Sequence, residues 1–354
     1  KRAGADFVER ARKIHFHPDE TPLHVIAMGS SEAYGCFVAG TEVRMGDGSS
    51  KPIEQVELDD EVVDRTGRPG RVSTTYMRPY NGPGCELVIS GMLDNITCTD
   101  KHKFLVIPAE QVACQIDSAE HCKPGTCQVN AICRTRNCSR SEVSYQPVWR
   151  AANLLQPGDY VLVKVPDRGV GKQTWAWNDA YAALAGYFLA EGSFIKEKGT
   201  LVGLSFSFNA AEIATLASDV VRLAMSLHDD YADLRVNGPY LHKTDNSSSI
   251  HIYSRGLAGR MRREFGEYAA GKFLGGPVFA QRPDLLARLV STYFDGDGTN
   301  SPTAELNDLY PEARYSASTV SRQLALDLQW ALTKLGVAAS VCHVTPRDES
   351  CAVG

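Results

Sequence analysis

The sequence predicts a chain of more than one domain: an all-β domain first, then an α/β domain of two halves related by a pseudo-twofold axis. Three observations predict it. From Cys36 to about Lys164, short alternating runs are broken by turn signals at "GDG" (46–48), "TGRPG" (66–70) and "NGPG" (81–84), the texture of a strand-rich domain. From Asp179 onward, helical and strand patterns alternate. Within that second region "LAGYFLAEG" (184–192) and "VSTYFDGDG" (290–298) align without a gap, and a repeat at such a spacing is one folded unit used twice.

In order along the chain, residues 1–35 form a mixed segment with one short helix candidate and one strand candidate, too little for a core. Residues 36–165 are the strand-rich domain, interrupted by a cysteine-rich insert at 114–138. Residues 166–178, "PDRGVGKQTWAWN", read as a linker, and residues 179–354 as the α/β domain. In each half of that last domain the acid–glycine step is followed by a strand pair. An amphipathic helix comes next, at 210–228 in one copy and 320–336 in the other.

Composition bounds the function. With 43% hydrophobic and 22% charged residues, the chain is globular and neither disordered nor fibrous. A formal charge of −5 gives no global attraction to nucleic acid and leaves that task to a local basic face. No apolar run approaches a membrane span, and no signal peptide opens the sequence, which begins at Lys1 and so reads as a piece of a longer product. Ten cysteines without a secretory signal point to a reducing compartment, the cytoplasm, with no membrane as partner.

The repeated helices carry the clearest chemistry. Ala185 and Gly186 in one copy, and Ser291 and Thr292 in the other, are small or modest residues that let two helices approach closely. If the copies pair, Glu191 and Asp297 meet at the helix C-termini, where the helix dipole and each other's charge both disfavour them. A cation resolves the conflict, and two carboxylates with water and phosphate oxygens suit Mg²⁺. The plain alternative for either copy alone is a helix that stops at glycine with its acid solvated; two matched copies favour the metal.

"LAGYFLAEG" and "VSTYFDGDG" resemble the paired signature helices of LAGLIDADG (DOD-type) homing endonucleases. The resemblance implies a Mg²⁺-dependent nuclease that binds double-stranded DNA, with Glu191 and Asp297 as metal-binding catalytic acids and Lys272 in "GKFLGGP" as an assisting base. Thr292 stands where that family has glycine, which is expected to loosen the helix contact. The stretch "SRGLAGRMRREF" supplies Arg255, Arg260, Arg262 and Arg263, a solvated helix face or phosphate contacts.

The start of the strand-rich region, "CFVAGTEVRMGDGSSKPIEQVELDDEVV", resembles the first motif of the Hint (hedgehog/intein) fold. "NITCTDKHKFLV" (95–106) resembles its second, and "VWRAANLLQPGDYVLV" (148–163) the strands that close this half. The combination implies an intein that carries a homing endonuclease. Cys36 would attack the Gly35 carbonyl in an N–S acyl shift, His102 would serve as acid/base at the departing nitrogen, and Thr99 would hydrogen-bond the scissile peptide or its oxyanion. Residues 1–35 would be the host fragment, or N-extein, and the host gene without its intein the DNA target. No histidine–asparagine end follows "KLGVAASVCHVTPRDESCAVG", so this reading also implies a truncated C-terminus or a second intein piece acting in trans. Two rivals are a Hint autoprocessing domain of another type and a non-catalytic LAGLIDADG DNA-binding protein. Alone, Cys36 would read as a buried strand cysteine and His102 as a structural histidine.

The insert places Cys122, Cys127, Cys133 and Cys138 at C-x4-C-x5-C-x4-C, with His121 and Cys114 nearby. Four thiolates at such spacing suit a structural Zn²⁺; free or paired loop thiols are the alternative.

Overall fold

The structure, a computed structural model, describes residues 8–16, 23–27, 36–64, 67–112, 145–162, 177–242, 246–302, 313–337 and 339–344. The chain divides into two compact units, Lys1–Met45, Ser50–Pro166 and Val337–Gly354 in the first, Gly46–Ser49 and Asp167–Gly336 in the second. Among the described residues no helix is long and apolar enough to cross a membrane.

The first unit begins with β1 (Val8–Phe16), β2 (Leu23–Ala27), β3 (Phe37–Val38), β4 (Glu42–Arg44) and β5 (Ser50–Pro52). It continues with β6 (Glu61–Val63), β7 (Pro69–Arg71), β8 (Thr74–Arg78), β9 (Gly82–Ile89), β10 (Ile96–Thr99) and β11 (Lys103–Ile107). The single-turn helix α1 (Ala109–Val112) precedes β12 (Val148–Ala151) and β13 (Tyr160–Val161). Six strands form an antiparallel sheet in the order β1-β9-β10-β3-β2-β8. Side chains alternate along β9, so Cys85, Leu87 and Ile89 are buried on one face, where they pack with Cys98, Val106, Ala152 and Leu155.

One turn signal proves to be strand. Gly82, Pro83 and Gly84 pair with Phe16, His15 and Ile14 of β1. Pro83 has no N–H to give the ladder, but its carbonyl accepts from the Asp100 N–H and the Tyr80 hydroxyl, so its backbone is held without one. "TGRPG" does contain a turn: Gly67, at φ +83, donates to the Asp64 carbonyl between β6 and β7.

A second sheet runs β12-β11-β13. Its anchor is Asp159, whose side chain is fully buried. That carboxylate accepts from the Ala109 and Gln156 backbone N–H groups at 2.8 and 3.0 Å and from the Arg150 guanidinium at 3.0 Å. Arg150 also reaches Glu110 at 2.7 Å.

In the second unit, α2 (Asp179–Glu191) leads into β14 (Gly192–Glu197), β15 (Thr200–Asn209), α3 (Ser218–Ser226), β16 (Arg235–His242), β17 (Ser247–Tyr253) and α4 (Arg255–Phe265). Then follow α5 (Gly276–Phe279), α6 (Pro283–Asp297), β18 (Gly298–Pro302), β19 (Ala313–Ala317) and α7 (Arg322–Lys334). Four strands form an antiparallel sheet in the order β14-β15-β17-β16, and β18 pairs with β19. Every residue from Tyr181 to Leu189 is buried, so α2 has no solvent face and is a central core helix. The helix expected over 210–228 is shorter. Asn209 and Glu212 form a capping box on a 3₁₀ turn (Ala210–Glu212), and a π turn (Ile213–Ala217) follows before α3 begins.

Helices α2 and α6 lie in close contact. A Cβ at Gly186 would stand 2.1 Å from Thr292 Oγ1 and 2.2 Å from the Leu289 carbonyl oxygen. Thr292 therefore does not loosen the contact as expected. It is fully buried, and its hydroxyl lies 2.9 Å from the Ala183 carbonyl oxygen across the interface, which makes the substituted position a polar tie between the helices.

Replacing Asp159 by alanine removes the acceptor of the Ala109 and Gln156 N–H groups and leaves Arg150 with Glu110 alone. The expected loss is about 1–3 kcal/mol, read as a lower midpoint in urea unfolding of the first unit.

Candidate metal centre

Helices α2 and α6 end alike. Gly192 (φ −90, ψ 146) and Gly298 (φ −82, ψ 142) turn the chain into extended backbone, and their N–H groups close the last turns on the Phe188 and Phe294 carbonyls. A Cβ at Gly298 would meet the Phe294 carbonyl oxygen at 2.1 Å, so glycine is required by space at this step. Each acid thus sits on the last residue of its helix, immediately before a strand; α2 is buried on all sides, while α6 buries one face.

Burial and the neighbouring carboxylate set the charge state. Glu191 is pushed up from an ordinary 4.5 to about 7, first by burial, then by Asp297 and Glu212. Asp297 is also raised by burial, against the opposing pull of Lys272 and a hydrogen bond from Tyr293. Tyr293, one helical turn before Asp297, was not singled out from sequence; its i, i+4 spacing was the available signal.

Lys272 joins the pair. Its ammonium is buried and donates to the Phe188 and Leu189 carbonyls, both at 2.9 Å. These carbonyls belong to the last turn of α2, where a cation is favoured by the helix dipole. Burial lowers Lys272 to about 8, opposed by the attraction of Asp297 and Glu191. The backbone holds the lysine in place, since the Lys272 carbonyl accepts from Ser321 Oγ at 2.6 Å. The arrangement gathers two carboxylates and one cation at the helix ends, and an added metal ion would compete with the protons on the acids. Among the described residues no group of three or more His, Cys, Asp or Glu is placed to hold a metal. The pair would therefore share its ion with water or with oxygen atoms from outside the chain.

In the first unit, Cys36 is buried, its N–H donates to Thr99 Oγ1 at 3.2 Å, and the Thr99 N–H donates back to the Cys36 carbonyl at 3.0 Å. Arg78 reaches the Cys36 sulfur at 3.8 Å. The His102 N–H donates to the Thr99 carbonyl, and its ring packs against Phe37 and Phe104 at 4.2 and 5.0 Å between centroids. The structure thus brings Cys36 and Thr99 together and sets His102 among aromatic rings. Gly35, Cys114, His121, Cys122, Cys127, Cys133 and Cys138 lie outside the described residues, and the expected zinc site with them.

The arginines of α4 do not form one solvated face. Arg260 is largely buried, paired with Glu264 at 3.0 Å and stacked over the Tyr181 ring at 4.0 Å. Glu264 also accepts from the Tyr181 hydroxyl at 2.9 Å, so Arg260 serves the core and not a surface. Arg262 pairs with Glu267 at 3.0 Å, and Arg255 and Arg263 are exposed.

No protein-family model matches the chain. Iron–sulfur cluster assembly SufBD family proteins of Mycobacterium bovis and Mycobacterium tuberculosis are 27% identical to it over 330 residues, 91% of this chain. The chain spans about a third, 35%, of the length of these relatives. A solved structure, the homing endonuclease I-WcaI bound to its DNA recognition sequence, overlaps 39% of this chain and 59% of its own at 15% identity. Its TM-score of 0.21 is too low to carry an argument. The relatives are named for iron–sulfur cluster assembly, not for protein splicing or DNA cleavage. That finding overturns the identification as an intein with a LAGLIDADG endonuclease, together with its acyl shift, its nuclease activity and its DNA and extein partners.

Between about 4.5 and 7 the folded unit holds a proton on Glu191 that the unfolded chain has released, so stability falls as pH rises through that window. Above about 8 the sign reverses for Lys272, which loses its proton earlier in the fold than in the unfolded chain. Glu191→Gln should therefore raise the metal-free Tm at pH 8 and leave it nearly unchanged at pH 5. Calorimetry at the two pH values checks this, and an equal shift at both would contradict the electrostatic account.

Proposed function

We propose that this chain is a segment of an iron–sulfur cluster assembly protein of the SufBD kind, and that its second unit holds a divalent cation between Glu191 and Asp297. The first part is carried by the identity to the mycobacterial relatives, which extends over 91% of the chain and so is not the likeness of one short motif. A cytoplasmic setting belongs to the same reading, in keeping with the free thiols of Cys36, Cys85, Cys98 and Cys342.

The second part is supported by two half-buried carboxylates drawn together against their mutual repulsion, with the buried Lys272 alongside. Hard oxygen donors favour Mg²⁺ or Mn²⁺ over softer metals. The fold class that goes with this proposal is an all-β unit followed by an α/β unit of two pseudo-twofold halves. Its support is the matched acid–glycine endings of α2 and α6.

Mn²⁺ titration followed by electron paramagnetic resonance tests the cation. Glu191→Gln and Asp297→Asn should each weaken binding about tenfold or more, and more metal should bind at pH 8 than at pH 6, because Glu191 must lose its proton. Equal Mn²⁺ binding by parent and both variants would remove the site. For the assembly reading, the gene product that carries this sequence should contain iron and acid-labile sulfide when isolated anaerobically. Preparations consistently free of both would count against it.

A further inference from the structure

We propose that Cys85 and Cys98 are a built-in dithiol that closes to a disulfide in the native fold when a small disulfide oxidant is present. The two residues lie directly opposite each other on the antiparallel strands β9 and β10. Directly opposed residues share a sheet face, and their Cα atoms are about 4.5 or 5.5 Å apart, according to whether the pair is hydrogen-bonded. Both values lie inside the Cα window of about 4.4–6.8 Å that a disulfide accepts. Their Cβ atoms start at about 4.5–5.5 Å, so closure asks for a shift of about 1 Å.

The same row of the sheet places Lys13 of β1 beside Cys85 and Phe37 of β3 beside Cys98. The thiols therefore have a cation on one flank and an aromatic ring on the other. Both are free and buried. Burial raises both thiols, Cys98 to about 12, and the charge of Cys85 adds to the rise at Cys98. The Asp100 charge adds to the rise at both thiols and Lys13 opposes it at Cys85 alone, so with Cys98 held at about 12 the first proton leaves Cys85. This pair differs from Cys36 and Thr99, which hydrogen-bond through the backbone and a hydroxyl.

The step balances with glutathione disulfide as oxidant. Cys85 loses its proton, attacks one sulfur of the oxidant, forms a mixed disulfide and releases one glutathione thiolate. Cys98 then loses its proton and attacks the Cys85 sulfur, which forms the Cys85–Cys98 bond and releases the second glutathione. The two cysteines are oxidised by two electrons, the oxidant is reduced by two, and the two thiol protons end on the two glutathiones.

Met92 lies in the chain between the two cysteines, which gives a direct assay. The folded chain is treated with millimolar glutathione disulfide, its remaining thiols are alkylated, and cyanogen bromide cuts after Met92. The fragments that carry Cys85 and Cys98 should stay joined, separate on reduction, and together show a mass 2 Da below that of the dithiol. Cys85→Ala and Cys98→Ala should each abolish the joined species. Fragments that separate without reductant, with both cysteines alkylated or each carrying its own glutathione, would overturn the proposal. So would joining that occurs equally after treatment in denaturant, because the native register would then not be its cause.

Discussion

A Cβ at position 186 would stand 2.2 Å from the Leu289 carbonyl oxygen, and most of the second unit follows from that clearance. Glycine there lets α2 and α6 touch backbone to backbone, which hydrophobic side chains of ordinary size would prevent. The near approach brings the two helix ends together, and with them Glu191 and Asp297. Thr292 accepts the same closeness and turns it into a hydrogen bond to Ala183. A larger residue at 186 would separate the helices and the acids at one stroke.

The acids sit where electrostatics is least kind to them, and the fold answers with one amine. Lys272 spends its donors on the Phe188 and Leu189 carbonyls, so it neutralises the helix end more than it neutralises either carboxylate. Burial, with Asp297 and Glu212, keeps Glu191 high, at about 7, and Lys272 offsets only part of that rise. A site held near its own titration point is responsive: a modest change in local charge is enough to empty or fill it with protons.

Some of this could be read from the sequence, and the reasons are specific. The endings at 191–192 and 297–298 were visible because an acid followed by glycine closes two apolar helical patterns. The part played by Thr292 was hidden, because residue type shows bulk but not whether a hydroxyl will find a carbonyl across an interface. "NGPG" misled for a related reason. Glycine and proline report tolerance of a turn, while the pairing of Gly82 and Gly84 with β1 depends on a strand some seventy residues earlier. Arg260 was assigned to a surface because four arginines in nine residues read as a polar face; only the fold shows Tyr181 and Glu264 around it. The function inferred from motif resemblance was displaced by likeness over most of the chain, which motifs, being local, could not reveal.

The burial of α2 on all sides has a further consequence for how the second unit moves. A helix with one wet face can fray or tilt while its neighbours stay folded. From Tyr181 to Leu189 no such face exists, so these amides reach solvent only when the packing on every side is released together. Their exchange with deuterium should be among the slowest in the unit and should track its global opening, while the exposed residues of β16 exchange through local motion. The unit therefore cannot release this helix by degrees, because its neighbours hold it on every side.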